Sequence, residues 1–147
     1  MPKQIELDRT YLQMADIWGQ LSKANRKKVG CLIVNNGHII SDGYNGTPAG
    51  YDNNCEYETR FGYETKPEVL HAESNALMKL AKSTISSEGS TIYLTMSPCF
   101  ECAKLIIQAE VKRVVYSEEY RNTGGIDFLR KNDIECVSML FTETIKL

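Results

Sequence analysis

A sheet of mixed strand direction layered between helices is the fold that this sequence predicts, and three observations carry the prediction. Short β-branched runs alternate with stretches of helical apolar period along most of the chain. An Asn36-Gly37 pair separates the first two apolar runs at hairpin spacing. Helix-length stretches separate the later strands, and such connections favour parallel pairing with right-handed crossovers. The expected architecture is a three-layer α-β-α fold with a mixed five-stranded sheet. Its first two strands form an antiparallel hairpin and its last three are joined by helical crossovers.

The elements follow in order. Residues 8–24 carry Tyr11, Met14, Ala15, Trp18 and Leu21 at helical spacing, with Asp8 as the expected N-cap. "VGCLIV" (29–34) reads as a strand, and the run after Asn36-Gly37 as its antiparallel partner. Residues 43–69 are a long polar and aromatic stretch, of the length that is usually functional or ordered on its own terms. A helix follows over 71–83, with Ala72, Ala76, Leu77 and Leu80 on one face. Then come a strand at 90–95, a helix at 99–110 started by Pro98, a strand at 112–120, a short helix at 124–133 and a last strand at 134–141.

Composition bounds the function. The chain has 147 residues, predicting a single domain over 1–147 with a real core. Its net charge is −2, and no basic run exceeds "NRKKVG" at 25–30, which argues against a nucleic-acid partner but leaves room for a small anionic ligand. No apolar stretch approaches the ~18–20 residues of a membrane span. The five cysteines (Cys31, Cys55, Cys99, Cys102, Cys136) are odd in number with no secretory signal before them, which points to a reducing compartment and the cytoplasm.

The chemistry gathers at two helix starts. His71 and Glu73 open one helix in "HAE", and Cys99 and Cys102 open the other in "PCFEC". Residues i and i+3 share a helix face, so both sulfurs can point at one ion, and a helix N-terminus favours the thiolate form. With His71 they make a Cys2His set suited to zinc, whose fourth position stays open for a water of lowered pKa. Glu73, two residues past the ligand, is the candidate proton shuttle. Other readings of the cysteine pair stand beside this one. It could be a redox couple, although a preceding proline and a third ligand speak against that. It could also be part of a closed structural site completed by Cys55, Cys31, Cys136 or His38. Cys31 and Cys136 lie in apolar strand patterns where cysteine is commonly an inert core residue, which leaves Cys55 as the main rival ligand.

The two-part pattern H-x-E…P-C-x-x-C is the signature of zinc nucleobase deaminases. Here "HAE" and "PCFEC" stand 24 residues apart, and the strand–helix order around them resembles the cytidine deaminase-like fold. Within that superfamily residues 8–138 most resemble the deoxycytidylate (dCMP) deaminases, through "KKVGCLIVNNGHIISDGYNGTPAG", "HAESNAL", "LTMSPCFECAKLIIQ" and "VVYSEEY". The resemblance implies hydrolysis of dCMP to dUMP and ammonia at one catalytic zinc held by His71, Cys99 and Cys102, with Glu73 moving protons. It also implies a base ring near His71, with the Ala72 N–H on the base carbonyl. Asn45 of "GYNG" would contact the sugar, Ser97 would line the pocket, and Tyr120 and Arg121 would meet the 5′-phosphate. Members of the family are commonly hexamers activated by dCTP and inhibited by dTTP, with magnesium accompanying the triphosphate. Arg26, Lys28 and Tyr44 are the corresponding effector candidates. Rival expectations are a deaminase of dCTP, of a nucleoside, of a riboflavin precursor or of a base in tRNA, and a zinc-stabilised binding module without activity.

Overall fold

The computed structural model describes residues 2–140. Four helices and seven strands run in the order α1 (Gln4–Gly19), β1 (Gly30–Asn35), β2 (His38–Tyr44), β3 (Glu56–Thr59), β4 (Gly62–Thr65), α2 (Ala72–Ala81), β5 (Thr91–Met96), α3 (Phe100–Gln108), β6 (Arg113–Glu118), α4 (Gly124–Lys131) and β7 (Glu135–Ser138). The expected five-stranded mixed sheet is present, in spatial order β2-β1-β5-β6-β7. β1 pairs antiparallel with both β2 and β5, whereas β5–β6 and β6–β7 are parallel. Asn36 and Gly37 close the β1–β2 hairpin with φ of 50° and 77°, the positive pair that a type I′ turn demands.

Both sheet faces are covered, which explains why the strands read as continuous apolar runs. Cys31, Ile33, Ile92, Leu94, Val114 and Tyr116 point to one face, against Ala76 and Leu80 of α2, Ile106 of α3 and Leu129 of α4. The alternate residues Leu32, Val34, Tyr93 and Val115 point to the other, against Leu12 and Ala15 of α1. The period of two along each strand thus divides one core into two.

Three sequence expectations change. Helix α1 starts a turn earlier than expected, its cap position being Lys3, whose backbone N–H donates to Glu6 Oε2 at 3.0 Å. Asp8 is therefore not a cap but a buried residue within the helix. Its carboxylate accepts from Tyr93 Oη at 2.7 Å, Gln4 Nε2 at 2.8 Å, and Arg113 Nη1 and Nη2 at 2.8 and 2.6 Å. Second, Pro98 lies before α3 rather than in its first turn: Cys99 holds the cap position and the helix begins at Phe100. Third, the long 43–69 stretch contains an unforeseen two-stranded hairpin, β3–β4, outside the main sheet. The expected last strand ends at Ser138, and its final position, Phe141, lies outside the described residues. No described helix is long and apolar enough to cross a membrane.

Burial pushes the Asp8 pKa up, but the hydrogen bonds from Arg113, Tyr93 and Gln4 outweigh it and hold the carboxyl below its ordinary value. A carboxyl whose folded pKa is depressed contributes stability that is complete above its unfolded pKa and lost as pH falls through the folded one. Asp8→Asn is therefore expected to lower unfolding free energy at pH 7 by about 2–4 kcal/mol, because Arg113 keeps only its weaker Glu135 partner. Urea denaturation checks this, and the gap between variant and parent should narrow as the buffer is taken down through the acid range.

Candidate metal centre and active site

The parallel strands β5 and β6 end side by side, and their carboxyl ends open into a cavity of about 400 Å³, within the range that holds a small ligand. The side chains that line it come from the turns after β5 and β6, the start of α2, the 24–29 loop after α1, Asn45 after β2, and the root of the β3–β4 hairpin.

His71 stands at the N-cap of α2 and Cys99 at the N-cap of α3, both with extended backbone, and Cys102 lies buried in the first turn of α3. His71 Nδ1 is 3.5 Å from Cys99 Sγ and 3.3 Å from Cys102 Sγ. Bonds of about 2.3 Å to sulfur and about 2.0 Å to nitrogen at tetrahedral angles put those donors about 3.5 Å apart, so both nitrogen–sulfur edges match those of a zinc tetrahedron. The donor set and the spacing both fit zinc. Among the described residues, no further His, Cys, Asp or Glu joins this group of three, and that includes Cys55 and Glu73.

The ionisation of the group fits as well. A hydrogen bond from Cys102 draws the Cys99 thiol down to about 4, while Cys102 is pushed well above the ordinary thiol range by holding that proton and by burial. The hydrogen bond to Cys99 raises His71. The helix-start setting thus favours a thiolate at Cys99, and metal binding has to displace the proton held on Cys102. Glu73 sits in the first turn of α2 at 3% exposure, and its pKa is raised to about 6 by burial.

Two glycines set how closely these helix starts approach the rest of the fold. A Cβ on Gly125 of α4 would lie 2.1 Å from the Pro98 carbonyl oxygen and 2.8 Å from the Cys99 carbonyl carbon. A Cβ on Gly43 of β2 would lie 2.4 Å from the Ala72 carbonyl oxygen. Each abuts the turn that carries a candidate ligand.

Of the candidate substrate contacts, Asn45, Ala72, Ser97, Tyr120 and Arg121 all line the cavity. Asn45 also braces the loop beside it. Its Oδ1 accepts from the Val29 N–H at 2.9 Å, and its Nδ2 donates to the Lys27 carbonyl at 2.8 Å. Ser97 Oγ accepts the Tyr120 N–H at 2.6 Å, tying together the turns after β5 and β6. The three effector candidates are not gathered in one place. Arg26 lines the catalytic cavity and Tyr44 lines a second one, whereas Lys28 Nζ reaches the Gln20 carbonyl at 3.4 Å. Cys55 is buried in the wall shared by both cavities. The structure adds two wall residues that sequence patterns do not single out. Lys27 is visible in "NRKK" as charge without a position, and Glu56 lies in the hairpin that no pattern announces.

Alanine at position 125 should push the Cys99 turn off its seat, so Gly125→Ala is expected to lose most of its bound zinc as measured by atomic emission. Gly46→Ala, where a Cβ meets nothing within 4 Å, should keep about one ion per chain.

Comparison with known proteins agrees with this geometry. The model for the cytidine and deoxycytidylate deaminase zinc-binding region matches residues 5–118. The deoxycytidylate deaminase of Enterobacteria phage T4 is 37% identical over 86% of this chain and 86% of that protein. The human deoxycytidylate deaminase is 37% identical over 81% of this chain and 69% of its own length. The crystal structure of dCMP deaminase from the cyanophage S-TIM5, in complex with dCMP and dUMP, superposes with a TM-score of 0.87 at 45% identity, covering 94% of this chain and all of that one. The donor triangle and these likenesses together place the chain in the zinc-dependent cytidine and deoxycytidylate deaminase family.

Proposed function

We propose that this protein is a deoxycytidylate deaminase that converts dCMP and water to dUMP and ammonia. The observation that carries the reading is one cavity with a His71–Cys99–Cys102 donor group and buried Glu73 at one wall and the cations Arg26, Lys27 and Arg121 at another. A pyrimidine ring at the donor group leaves its sugar phosphate to the cations. The 45% identity to a cyanophage enzyme solved with dCMP and dUMP favours that substrate over other bases.

His71, Cys99 and Cys102 would hold the zinc. Bound there, zinc supplies a Lewis acid and lowers the pKa of a water in its open position. The Glu73 carboxylate would take a proton from the attacking water and pass it to ring N3, then carry the proton of the new C4 hydroxyl to the amino nitrogen, so that the C4–N bond breaks with loss of ammonia as the C4–O bond becomes the carbonyl. Its burial keeps that proton from bulk solvent. Ala72 is the first residue of α2, where a backbone N–H has no intrahelical acceptor and is free for the base carbonyl. Asn45 retains a second donor and a second acceptor position for the sugar. Tyr120 and Arg121, joined by Arg26 and Lys27, take the 5′-phosphate, and Ser97 fixes the Tyr120 backbone beneath it.

Control by dCTP and dTTP, with magnesium on the triphosphate, belongs to the same proposal. Its support is the second cavity, of about 480 Å³, where Lys23, Lys79, Trp18 and Tyr44 offer charge and ring surface next to the shared residues Asn45 and Cys55. Tyr44 alone of the three effector candidates lines it. A hexameric state is carried over from the family resemblance, and the cytoplasmic placement from the odd count of five cysteines.

Ammonia release by zinc-loaded protein offered dCMP, CMP, deoxycytidine and dCTP separately is expected to be fastest with dCMP and to fall when dTTP is added. No turnover of dCMP, with or without dCTP, would sink the reading. Glu73→Gln should keep zinc and bind dUMP in calorimetry while kcat falls by about 10²–10⁴-fold. Near-parental rates from that variant would remove Glu73 from the proton path.

A further inference from the structure

Three carboxylates are buried among the described residues: Asp8, Glu56 and Glu73. Asp8 answers Arg113 and Glu73 serves the donor group, which leaves Glu56 without a role in the chemistry above. Its partners are three neutral donors on one neighbouring loop. Oε1 accepts the backbone N–H groups of Asn25 at 2.8 Å and Arg26 at 3.2 Å, and Oε2 accepts Asn25 Nδ2 at 3.3 Å.

Glu56 is the first residue of β3 and the only fully buried position in the hairpin strands; the other positions of β3 and β4 are exposed or half-buried. Its cross-strand neighbour is Thr65, whose Oγ1 accepts from Arg26 Nη1 at 3.4 Å. The hairpin root therefore grips Arg26 twice, at its backbone by Glu56 and at its guanidinium by Thr65. On the far side of the same loop, Asn45 Nδ2 holds the Lys27 carbonyl. Arg26, Lys27, Glu56 and Thr65 all face the catalytic cavity. A carboxylate beside a phosphate site repels the ligand, so its presence there calls for an offsetting benefit. Charge-assisted bonds to two backbone N–H groups are strong and directional, and they fix where the next side chains point.

We propose that Glu56 is a positioning residue, holding the Asn25–Lys27 loop so that Arg26 and Lys27 meet the substrate's phosphate, and that it thereby selects phosphorylated over unphosphorylated pyrimidine substrates. The inference rests on the deoxycytidylate reading. Glutamine keeps one carbonyl oxygen for the two backbone N–H groups, but it removes the charge that strengthens those bonds and turns an NH₂ onto Asn25 Nδ2.

The test is steady-state kinetics on zinc-loaded Glu56→Gln, with metal content and circular dichroism as checks that the fold persists. KM for dCMP is expected to rise about ten-fold with kcat within about two-fold of the parent, and calorimetric dUMP affinity to fall in parallel. In an Arg26→Ala/Lys27→Ala background, Glu56→Gln should cost less than about two-fold more, since the groups it acts through are gone. Thr65→Val, at an exposed strand, repeats the test more mildly should the first variant lose its fold, with a KM rise of about two- to three-fold. Three results would each overturn the inference: a fall in kcat at constant KM, an undiminished penalty in the double-alanine background, or no change at all. If the parent protein deaminates another base but not dCMP, the substrate reading fails on its own. Competition by inorganic phosphate, compared between parent and Glu56→Gln, then still decides whether Glu56 orders an anion site.

Discussion

Nitrogen and sulfur donors from two helices that begin 28 residues apart in sequence have to meet within about 3.5 Å to enclose one zinc ion, and much of the architecture can be traced to that requirement. Two helix N-termini must reach the same end of one strand. Strand β5, central between β1 and β6, delivers Cys99 three residues past its carboxyl end, and α2 lies over β1 and β2 with its start at the same edge. Small residues make the approach feasible. Ala72, Ala76 and Ala103 are fully buried where larger side chains would hold α2 and α3 off the sheet, and Gly43 and Gly125 let backbone touch backbone at the ligand turns. The packing that forms the core and the packing that forms the site are the same contacts.

A buried ion-pair network stands at the opposite end. Asp8 of α1 gathers Tyr93 of β5 and Arg113 at the start of β6, and Arg113 reaches on to Glu135 at the start of β7. This network fastens a helix and three strands near their amino ends, leaving the carboxyl ends of β5 and β6 for chemistry. A buried ion pair costs desolvation, and here the cost is offset by four hydrogen bonds to a single carboxylate. The arrangement lets the reactive end carry unfavourable features, such as a buried carboxyl near a thiolate, without all of the fold depending on them.

Local signals in the sequence are enough for what depends on neighbours in the chain. Asn36-Gly37 announces its hairpin, helix-length spacers announce the parallel crossovers, and "HAE" with "PCFEC" announces the donor group because each half sits on one helical turn. Asp8 shows the limit: Asp before an apolar helical period reads locally as a cap, and Tyr93 and Arg113, 85 and 105 residues away, make it a core residue instead. Glu56 is hidden for the same reason, since its partners lie about 30 residues earlier and its strand is too short and too polar to carry a pattern. "NRKK" displays charge, but its direction is set by Glu56, Thr65 and Asn45, none of which it touches in sequence.

The charge balance of the cavity favours a small phosphorylated ligand over a polyanion. A net charge of −2 gives no long-range attraction for nucleic acid, whose binding draws on many phosphate contacts at once. Attraction is local instead, with Arg26, Lys27 and Arg121 lining one opening. Even there it is partly committed, because Lys27 pairs with Glu118 at the end of β6 and Arg26 leans on Thr65. Both sides of the Lys27–Glu118 pair are about half exposed, so the pair is weak and a doubly charged phosphate can outcompete it. A ligand with one terminal phosphate can therefore collect cations that are positioned but not firmly held. A nucleoside brings nothing to replace Glu118.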